Sequence, residues 1–137
     1  LLSGIISKKA KKCYGVEIVK EATINANTLK EKNNLSNLEN INGDCGEIIP
    51  NLINSLKNEE LIVTLDPPRS GCDKKVLKSI INSAPSKILY ISCDPGTLAR
   101  DTKIIIESNK YSIQEVQPYD MFPQTKHVET FISFVKK

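Results

Sequence analysis

Cys93 is the first residue whose type and position could do chemistry. It lies in the run Ser92-Cys93-Asp94-Pro95-Gly96-Thr97, after a short apolar segment and before a helical periodicity. The partial positive charge at a helix N-terminus stabilises a thiolate, which is the nucleophilic form of cysteine. Most lone cysteines are small buried hydrophobes. Cys93 therefore becomes a candidate nucleophile only in combination with its neighbours, whereas Cys13, Cys45 and Cys72 are interpreted as packing residues.

Asp66 stands where an apolar run, residues 61–65, stops abruptly. The segment Asp66-Pro67-Pro68-Arg69-Ser70-Gly71 restricts the backbone through two prolines and can hold the Asp carboxylate in a defined direction. A rigid turn with a helix-capping Asp is the alternative interpretation. Glu129, just before the last strand-like run, is an acid that by itself would be expected to be solvated. The combination of thiol, fixed Asp and acid makes the three of interest together.

These residues fall within an alternation of short apolar runs and helical periodicities, which predicts a parallel sheet wrapped by helices, an α/β fold. We predict strands at residues 13–19, 38–42, 61–65, 87–92, 113–119 and 130–135, the last two paired antiparallel. Three helices are predicted where apolar residues recur at helical spacing: one carries Ala22, Ala26 and Leu29, one carries Ile49, Leu52, Ile53 and Leu56, and one carries Val76, Leu77, Ile80 and Ile81. Asp73 is predicted to cap the third of these. A fourth helix is predicted at residues 97–108. Ligands of open α/β sheets bind outside the carboxyl ends of the strands. Glu17, Asp44, Asp66 and Cys93 fall near such ends, which predicts a small-molecule site.

The composition limits the class of protein. With 137 residues, the chain is long enough for one domain, and its formal charge of +3 permits contact with a polyanion without indicating one. The four cysteines form no C-x-x-C pair, and His127 is the single histidine, so neither a metal site nor a disulfide framework is predicted. No apolar run approaches the roughly 20 residues of a membrane span. We expect a reduced, cytoplasmic setting, and, because the chain opens at Leu1 as though already inside a helix, a fragment.

Three ordered motifs resemble the RNA uracil-5-methyltransferases. They are Leu65-Asp66-Pro67-Pro68-Arg69-Ser70-Gly71, the run from Ile91 to Asp101 and the run from Asp120 to Glu129. Tyr14-Gly15-Val16-Glu17 resembles the second cofactor-binding strand of that family. Within the family, Val116-Gln117-Pro118 and the form of the Asp66 motif are most similar to bacterial enzymes that act on 23S ribosomal RNA, with the transfer-RNA enzymes as the alternative.

The resemblance implies a Rossmann-like fold that depends on S-adenosylmethionine, with residues 1–137 as a partial catalytic domain and an antiparallel C-terminal strand. It implies Cys93 as the nucleophile and Glu129 as the base that removes the carbon-5 proton. Glu17 and Asp66 are implied as cofactor contacts, and Asp44 as a contact near the adenine. The substrate would be RNA and no membrane would be involved, while the oligomeric state is left open.

Two features depart from the family. Asp94 stands where Asn is more often expected; it neighbours the nucleophile and does not react, so the assignment of Cys93 is unaffected. The glycine-rich first strand and loop are not recognisable, nor are an RNA-binding domain or iron–sulfur cysteines. That first strand would lie between the strand ending at Glu17 and the strand before Asp66. We therefore predict a fold truncated before its first strand, with two strands that each lack a neighbour.

Two other functions stay open at this point. One is an amino-group methyltransferase that uses the Asp-Pro-Pro turn without a covalent step; there an aromatic residue follows the turn, whereas this chain has Arg69. The other is a non-enzymatic α/β domain that binds nucleic acid or serves as a scaffold, for which the lysines of residues 8–12 would be the evidence. Lysine-rich faces are more often simply solvated. Cofactor binding would separate a scaffold from an enzyme.

Overall fold

The computed structural model describes residues 1–56, 59–121, 123–125 and 127–137. Phe122 and Lys126, which belong to the third motif, lie outside the described residues, as do Lys57 and Asn58. The chain divides into two compact units, Leu1–Asn51 and Leu52–Lys137, which are described separately.

The first unit contains a two-stranded parallel sheet. Strand β1 (Cys13–Glu17) pairs with β2 (Leu38–Asn42) in a register that runs from Cys13 opposite Leu38 to Glu17 opposite Asn42. Helix α1 (Leu2–Ser7) precedes β1, and α2 (Lys20–Lys32) connects the two strands. The chain turns after α2 at Asn34, which adopts a left-handed conformation with φ of 53°.

A small apolar core holds this unit together. Its buried residues are Cys13, Leu35 and Leu38, against which Ile6, Ala10 and Leu29 pack. The Nδ2 of Asn37 donates to the carbonyl oxygens of Ser7 and Ala10, at 2.7 and 2.8 Å. These bonds fix the segment that leads from α1 into β1. Helix α3 (Cys45–Ser55) follows β2, and the boundary between the two units falls within it.

The second unit contains a four-stranded mixed sheet. Its order is β3 (Ile62–Leu65), β4 (Lys87–Ser92), β6 (Glu129–Lys136) and β5 (Tyr111–Tyr119). Strands β3 and β4 are parallel, whereas β6 is antiparallel to both β4 and β5. The predicted antiparallel pairing of the last two strands is therefore confirmed.

Pairing between β4 and β6 is unbroken over six residue pairs, from Lys87 opposite Val135 to Ser92 opposite Thr130. Pairing between β5 and β6, by contrast, shows a register shift between Ile113 and Glu115. This irregularity is the kind of bulge that places one unpaired residue in an outer strand.

Helices α4 (Lys74–Ser83) and α5 (Pro95–Glu107) connect the strands of this sheet. The predicted cap of α4 is confirmed, since Oδ1 of Asp73 accepts a hydrogen bond from the Lys75 backbone nitrogen at 2.6 Å. All four residues predicted to face the core from α4 are buried, namely Val76, Leu77, Ile80 and Ile81. Helix α5 begins two residues earlier than predicted because Pro95 suits the first turn of a helix.

Strands β1 and β3 each have one partner among the described residues, β2 and β4 respectively. The prediction that these two strands lack a neighbour is confirmed for that part of the chain. The single partner of β3 also explains why the strand predicted to be buried at residues 61–65 is partly exposed. Ile62 is 53% exposed and only Leu65 is buried, because β3 is paired along one edge alone.

The longest helices, α2 and α5, have 13 residues each. Nowhere in the described ranges does a helix combine the length and the apolar character that crossing a bilayer requires.

Candidate active site

Three of the predicted site residues lie at one edge of the four-stranded sheet. Asp66 directly follows β3, Cys93 directly follows β4, and Glu129 is the first residue of β6. Leu65 is in register with Tyr90, and β6 runs in the opposite direction to β4. The carboxyl ends of β3 and β4 and the amino end of β6 therefore coincide at this edge.

Cys93 and Glu129 are close neighbours by register. The last backbone pair of β4 and β6 joins Ser92 to Thr130. Paired residues of antiparallel strands have Cα atoms about 4.5–5.5 Å apart, and Cys93 and Glu129 are the next residues outward from this pair. Both are half-buried, so each is partly open to a ligand; Glu129 lies within β6, and Cys93 directly follows the last paired residue of β4.

The turn that carries Cys93 is fixed on both sides. The Asp94 backbone nitrogen donates to Oγ of Ser92 at 3.1 Å, and Oδ1 of Asp94 accepts from the Thr97 nitrogen at 2.8 Å, which caps α5. The hydrogen bond from the Thr97 backbone lowers the pKa of the Asp94 carboxyl, which keeps the cap ionised. Cys93 thus precedes the capped N-terminus of a 13-residue helix, as the sequence predicted.

The Asp-Pro-Pro loop is held against the same helix. Oγ1 of Thr97 donates to the Arg69 carbonyl oxygen at 3.0 Å, and within the loop the Gly71 nitrogen donates to the Pro68 carbonyl oxygen at 2.8 Å. Gly71 has a φ of +79°, and a Cβ there would collide with the Arg100 guanidinium. Only glycine satisfies both the conformation and the space at this position.

A fully buried carboxylate connects the loop, the helix and the sheet. Oδ2 of Asp101 accepts hydrogen bonds from the Tyr90 hydroxyl at 2.6 Å and the Cys72 nitrogen at 2.8 Å. Oδ1 of Asp101 accepts from Nε of Arg100 at 2.8 Å, and Nη2 of Arg100 also donates to the Ser70 carbonyl oxygen at 3.0 Å. Burial, and then the hydrogen bond to Asp101, raises the pKa of the Tyr90 hydroxyl. The Tyr90 hydroxyl therefore keeps its proton around neutral pH and remains a donor to Asp101.

This network was not predicted from the sequence. Arg100 and Asp101 stand at the end of the second motif, but nothing in their spacing indicates the partners, since Cys72 is 29 residues away from Asp101. The available signal would have been Asp101, a charged residue on the helix face that also carries the apolar Leu98 and Ile105.

The other two predicted cofactor residues lie in the first unit. Glu17 ends β1 and accepts from the Val19 nitrogen at 2.9 Å, while Asp44 accepts from the Gly46 nitrogen at 2.7 Å. Burial first, and then the charges of Asp44 and Glu17, raise the pKa of the Cys45 thiol. The two exposed carboxylates are therefore near each other at the carboxyl end of the two-stranded sheet.

Among the described residues, no group of three or more His, Cys, Asp or Glu side chains could hold a metal ion. None of the four cysteines forms a disulfide: Cys13 and Cys72 are buried, Cys45 and Cys93 half-buried. Thus Cys93 is the half-buried thiol at the edge that also carries Asp66 and Glu129.

Comparison with known proteins gives a family match over nearly the whole chain. The model of the tRNA (Uracil-5-)-methyltransferase family matches residues 5–137. An uncharacterized RNA methyltransferase of Clostridium acetobutylicum is 48% identical over 131 residues, which is 96% of this chain and 28% of that protein. One from Listeria innocua is 46% identical over 129 residues, with 93% and 28% covered. The chain spans little more than a quarter of the length of these relatives.

Solved structures agree in fold. The Pyrococcus abyssi tRNA (uracil-54, C5)-methyltransferase, in complex with S-adenosyl-L-homocysteine, superposes with a TM-score of 0.80 at 32% identity. The match covers 95% of this chain and 30% of that one. An rRNA methylase of Streptococcus thermophilus superposes at 0.66 with 13% identity, covering 96% and 76%, and shows the fold alone. These likenesses confirm the Rossmann-like fold predicted from the sequence.

Proposed function

Because the chain belongs to the tRNA (uracil-5-)-methyltransferase family, we propose that it carries the catalytic residues of an enzyme that methylates carbon 5 of a uridine in RNA, with S-adenosylmethionine as the methyl donor. The observation that carries the proposal is the register of β4 and β6, which makes Cys93 and Glu129 neighbours at one sheet edge. A thiol and a carboxylate at that spacing suit the two steps that this chemistry requires.

The residues of the first unit fit the cofactor. Glu17 and Asp44 are exposed carboxylates, suited to accept hydrogen bonds from ribose hydroxyls and from an adenine amino group. Ile18 and Val19, next to Glu17, are 64% and 51% exposed and offer apolar surface to a purine. When bound, S-adenosylmethionine supplies an electrophilic methyl group on a sulfonium. We assign Glu17 to the ribose, Asp44 to the adenine end and Asp66 to the part of the cofactor beside the reacting base.

Cys93 provides what carbon 5 of uracil lacks. That carbon is too weak a nucleophile to take a methyl group unaided, and addition of the Cys93 thiolate to carbon 6 raises the electron density at carbon 5. After carbon 5 has gained its methyl group, Glu129 removes the proton from that carbon, and the bond between Cys93 and carbon 6 breaks to release the product. A positioned base of this kind contributes about 10²–10⁴ in rate.

The thiol cannot reach a base inside an RNA helix, so the target uridine must be unpaired or flipped out. We propose 23S ribosomal RNA as the substrate, on the basis of Val116-Gln117-Pro118 and the form of the Asp66 motif. Transfer RNA is the second candidate, favoured by the description of the matching family and by the name of the Pyrococcus abyssi enzyme. Four cysteines without a disulfide suit the reducing cytoplasm, which is where we propose that the protein acts.

Two competing functions make different demands on these residues. An amino-group methyltransferase would have no use for Cys93 and would carry an aromatic residue where Arg69 stands. A scaffold domain would bind no S-adenosylmethionine. Both can be tested in one set of assays.

The test is methyl transfer by the full-length protein to unmodified 23S ribosomal RNA and to transfer RNA, followed by nucleoside mass spectrometry. We expect 5-methyluridine in the ribosomal RNA. Methylated adenine would instead support the amino-group enzyme, 5-methyluridine in transfer RNA alone would exclude the ribosomal substrate, and no cofactor binding at all would support the scaffold.

A further inference from the structure

Arginine is rare in this chain and concentrated at the candidate active site. The sequence has 17 lysines but only two arginines, Arg69 and Arg100. Both belong to the loop and helix that adjoin Cys93. Arginine differs from lysine by a planar fork of donors that matches a carboxylate or a phosphate with two parallel hydrogen bonds. Two arginines at one site indicate that each guanidinium binds a carboxylate, a phosphate or a similar acceptor there.

Arg100 uses its fork inside the protein. Its Nε and Nη2 atoms both lie 2.8 Å from Oδ1 of buried Asp101, and Nη2 also reaches the carbonyl oxygen of Ser70. These bonds connect Nε and Nη2 of Arg100 to the helix and to the loop. Arg100 is therefore a structural residue and not a candidate for binding a ligand.

The side chain of Arg69 is free by comparison. Its guanidinium makes no hydrogen bond and no ion pair within 4.0 Å with any of the residues the structure describes, and the residue is exposed. The charge of Arg69 is the last of the influences that lower the pKa of Asp94, after the hydrogen bonds from Thr97, so the two residues lie in the same neighbourhood. The fork is thus open, exposed and close to the turn that carries Cys93.

The backbone of Arg69 is nevertheless rigid. Thr97 donates to its carbonyl oxygen, and the next residues are held by Arg100 on the Ser70 oxygen and by Asp101 on the Cys72 nitrogen. A pinned backbone reduces the entropy that a side chain loses when it binds. Such an arrangement is suited to recognition, because the anchor is ordered before the ligand arrives.

We propose that Arg69 binds a phosphodiester of the substrate RNA, next to the nucleotide that Cys93 attacks. The inference rests on the proposed function, since it takes RNA as the ligand. A nucleotide turned into this edge must bring its flanking phosphates with it, and a free guanidinium fork on a fixed loop is complementary to them in charge and shape. The contact carries no base specificity; it positions the backbone.

The test compares full-length Arg69→Gln and Arg69→Lys with wild type by filter binding of the substrate RNA over a range of salt concentrations. Each phosphate contact contributes about 0.7–0.9 to the slope of log affinity against log salt. We expect Arg69→Gln to weaken binding and to reduce the slope by about this amount, whereas Arg69→Lys keeps the slope but binds more weakly than wild type. Lys103→Gln is the matched control, because Lys103 is an exposed cation on α5 that pairs with Glu107 at 3.7 Å, and it should change neither quantity.

Wild-type affinity and slope in Arg69→Gln would overturn the proposal. Should Arg69→Gln fail to fold, as judged by lost cofactor binding, Arg69→Lys decides: weaker binding with an unchanged slope supports the contact, and wild-type affinity overturns it. The proposed function fails separately, if wild-type protein binds RNA with a normal salt dependence but produces no 5-methyluridine.

Discussion

The Tyr90 hydroxyl donates a 2.6 Å hydrogen bond to Oδ2 of Asp101, and both side chains are fully buried. Tyr90 belongs to β4, which leads to Cys93, while Asp101 belongs to α5 and also holds the loop that follows Asp66. The pair therefore joins the two segments that carry the nucleophile and the fixed carboxylate.

Tyr90→Phe should destabilise the protein, because it removes one donor from a buried carboxylate and leaves the ring in place. A hydrogen bond to a charged group contributes about 1.5–3 kcal/mol, so we expect a loss of that order in the free energy of unfolding by urea. Tyr119→Phe is the control: Tyr119 is 50% exposed and its hydroxyl has no hydrogen bond among the described residues. Equal midpoints for the two variants would contradict a structural role for the Tyr90 hydroxyl.

Cys93→Ala in the full-length protein should bind cofactor yet methylate no RNA. Wild type should form a covalent adduct with RNA that contains 5-fluorouridine. A base can remove a proton from carbon 5 but cannot remove fluorine, so the bond between Cys93 and carbon 6 does not break. The variant should form no adduct. Denaturing gels detect the adduct. Cys13→Ala, which removes a thiol at the amino end of β1, serves as control and should still form it. Turnover by Cys93→Ala would exclude the covalent mechanism.

Glu129→Gln should accumulate a covalent complex on ordinary RNA, because addition of the thiol and methyl transfer precede the step that needs the base. A gel shift under denaturing conditions measures it. Glu115→Gln, on the exposed strand β5, is the matched substitution and should leave turnover unchanged. Normal product formation by Glu129→Gln, without any adduct, would remove this residue from the mechanism.

The free energy of unfolding at acidic pH should depend on Asp94. Its folded-state pKa is lowered below the ordinary value of 3.8, first by the hydrogen bond from the Thr97 backbone, so its stabilising effect is complete above pH 3.8 and is lost as the pH falls through the folded-state pKa. Asp94→Asn keeps an acceptor for the cap but cannot titrate. We expect wild type to lose stability relative to this variant as the pH drops below 3.8 in urea titrations; parallel curves would disprove the linkage.

Residues 1–137 expressed alone should bind S-adenosylmethionine weakly and show no methyltransferase activity. Strands β1 and β3 each have one partner among the described residues, and every buried backbone group left unpaired costs about 1–3 kcal/mol against a net domain stability of about 5–15 kcal/mol. Calorimetry on the monomer measures binding. Micromolar affinity for S-adenosylmethionine would show that the unpaired edges of β1 and β3 do not prevent cofactor binding.

The local spacing of apolar and polar residues was sufficient to predict much of the secondary structure. Helical spacing identified the core face of α4, Asp73 capped it as predicted, and the last two strands pair antiparallel as predicted. Strand ends also predicted that Asp66 and Cys93 lie at one edge of the four-stranded sheet, because parallel strands direct their carboxyl ends to one side.

Long-range contacts were beyond the sequence. The bond from Tyr90 to Asp101 and the bond from the Cys72 nitrogen depend on how β4, α5 and a distant loop pack, which no spacing within any one of them encodes. The exposure of Ile62 was also not predicted, because an apolar run does not reveal how many neighbours its strand has. The roles of the site residues stay predictions until the variants are made.

The register shift between Ile113 and Glu115 limits where this chain can change length. A single residue added to β5 can be taken up by the existing bulge, away from Cys93. The same addition within Thr130–Val135 would slip β6 against β4 by one position and turn Glu129 to the opposite face of the sheet. Insertions and deletions should therefore be tolerated in the outer strand and eliminated from the inner one, although the two strands are paired with each other.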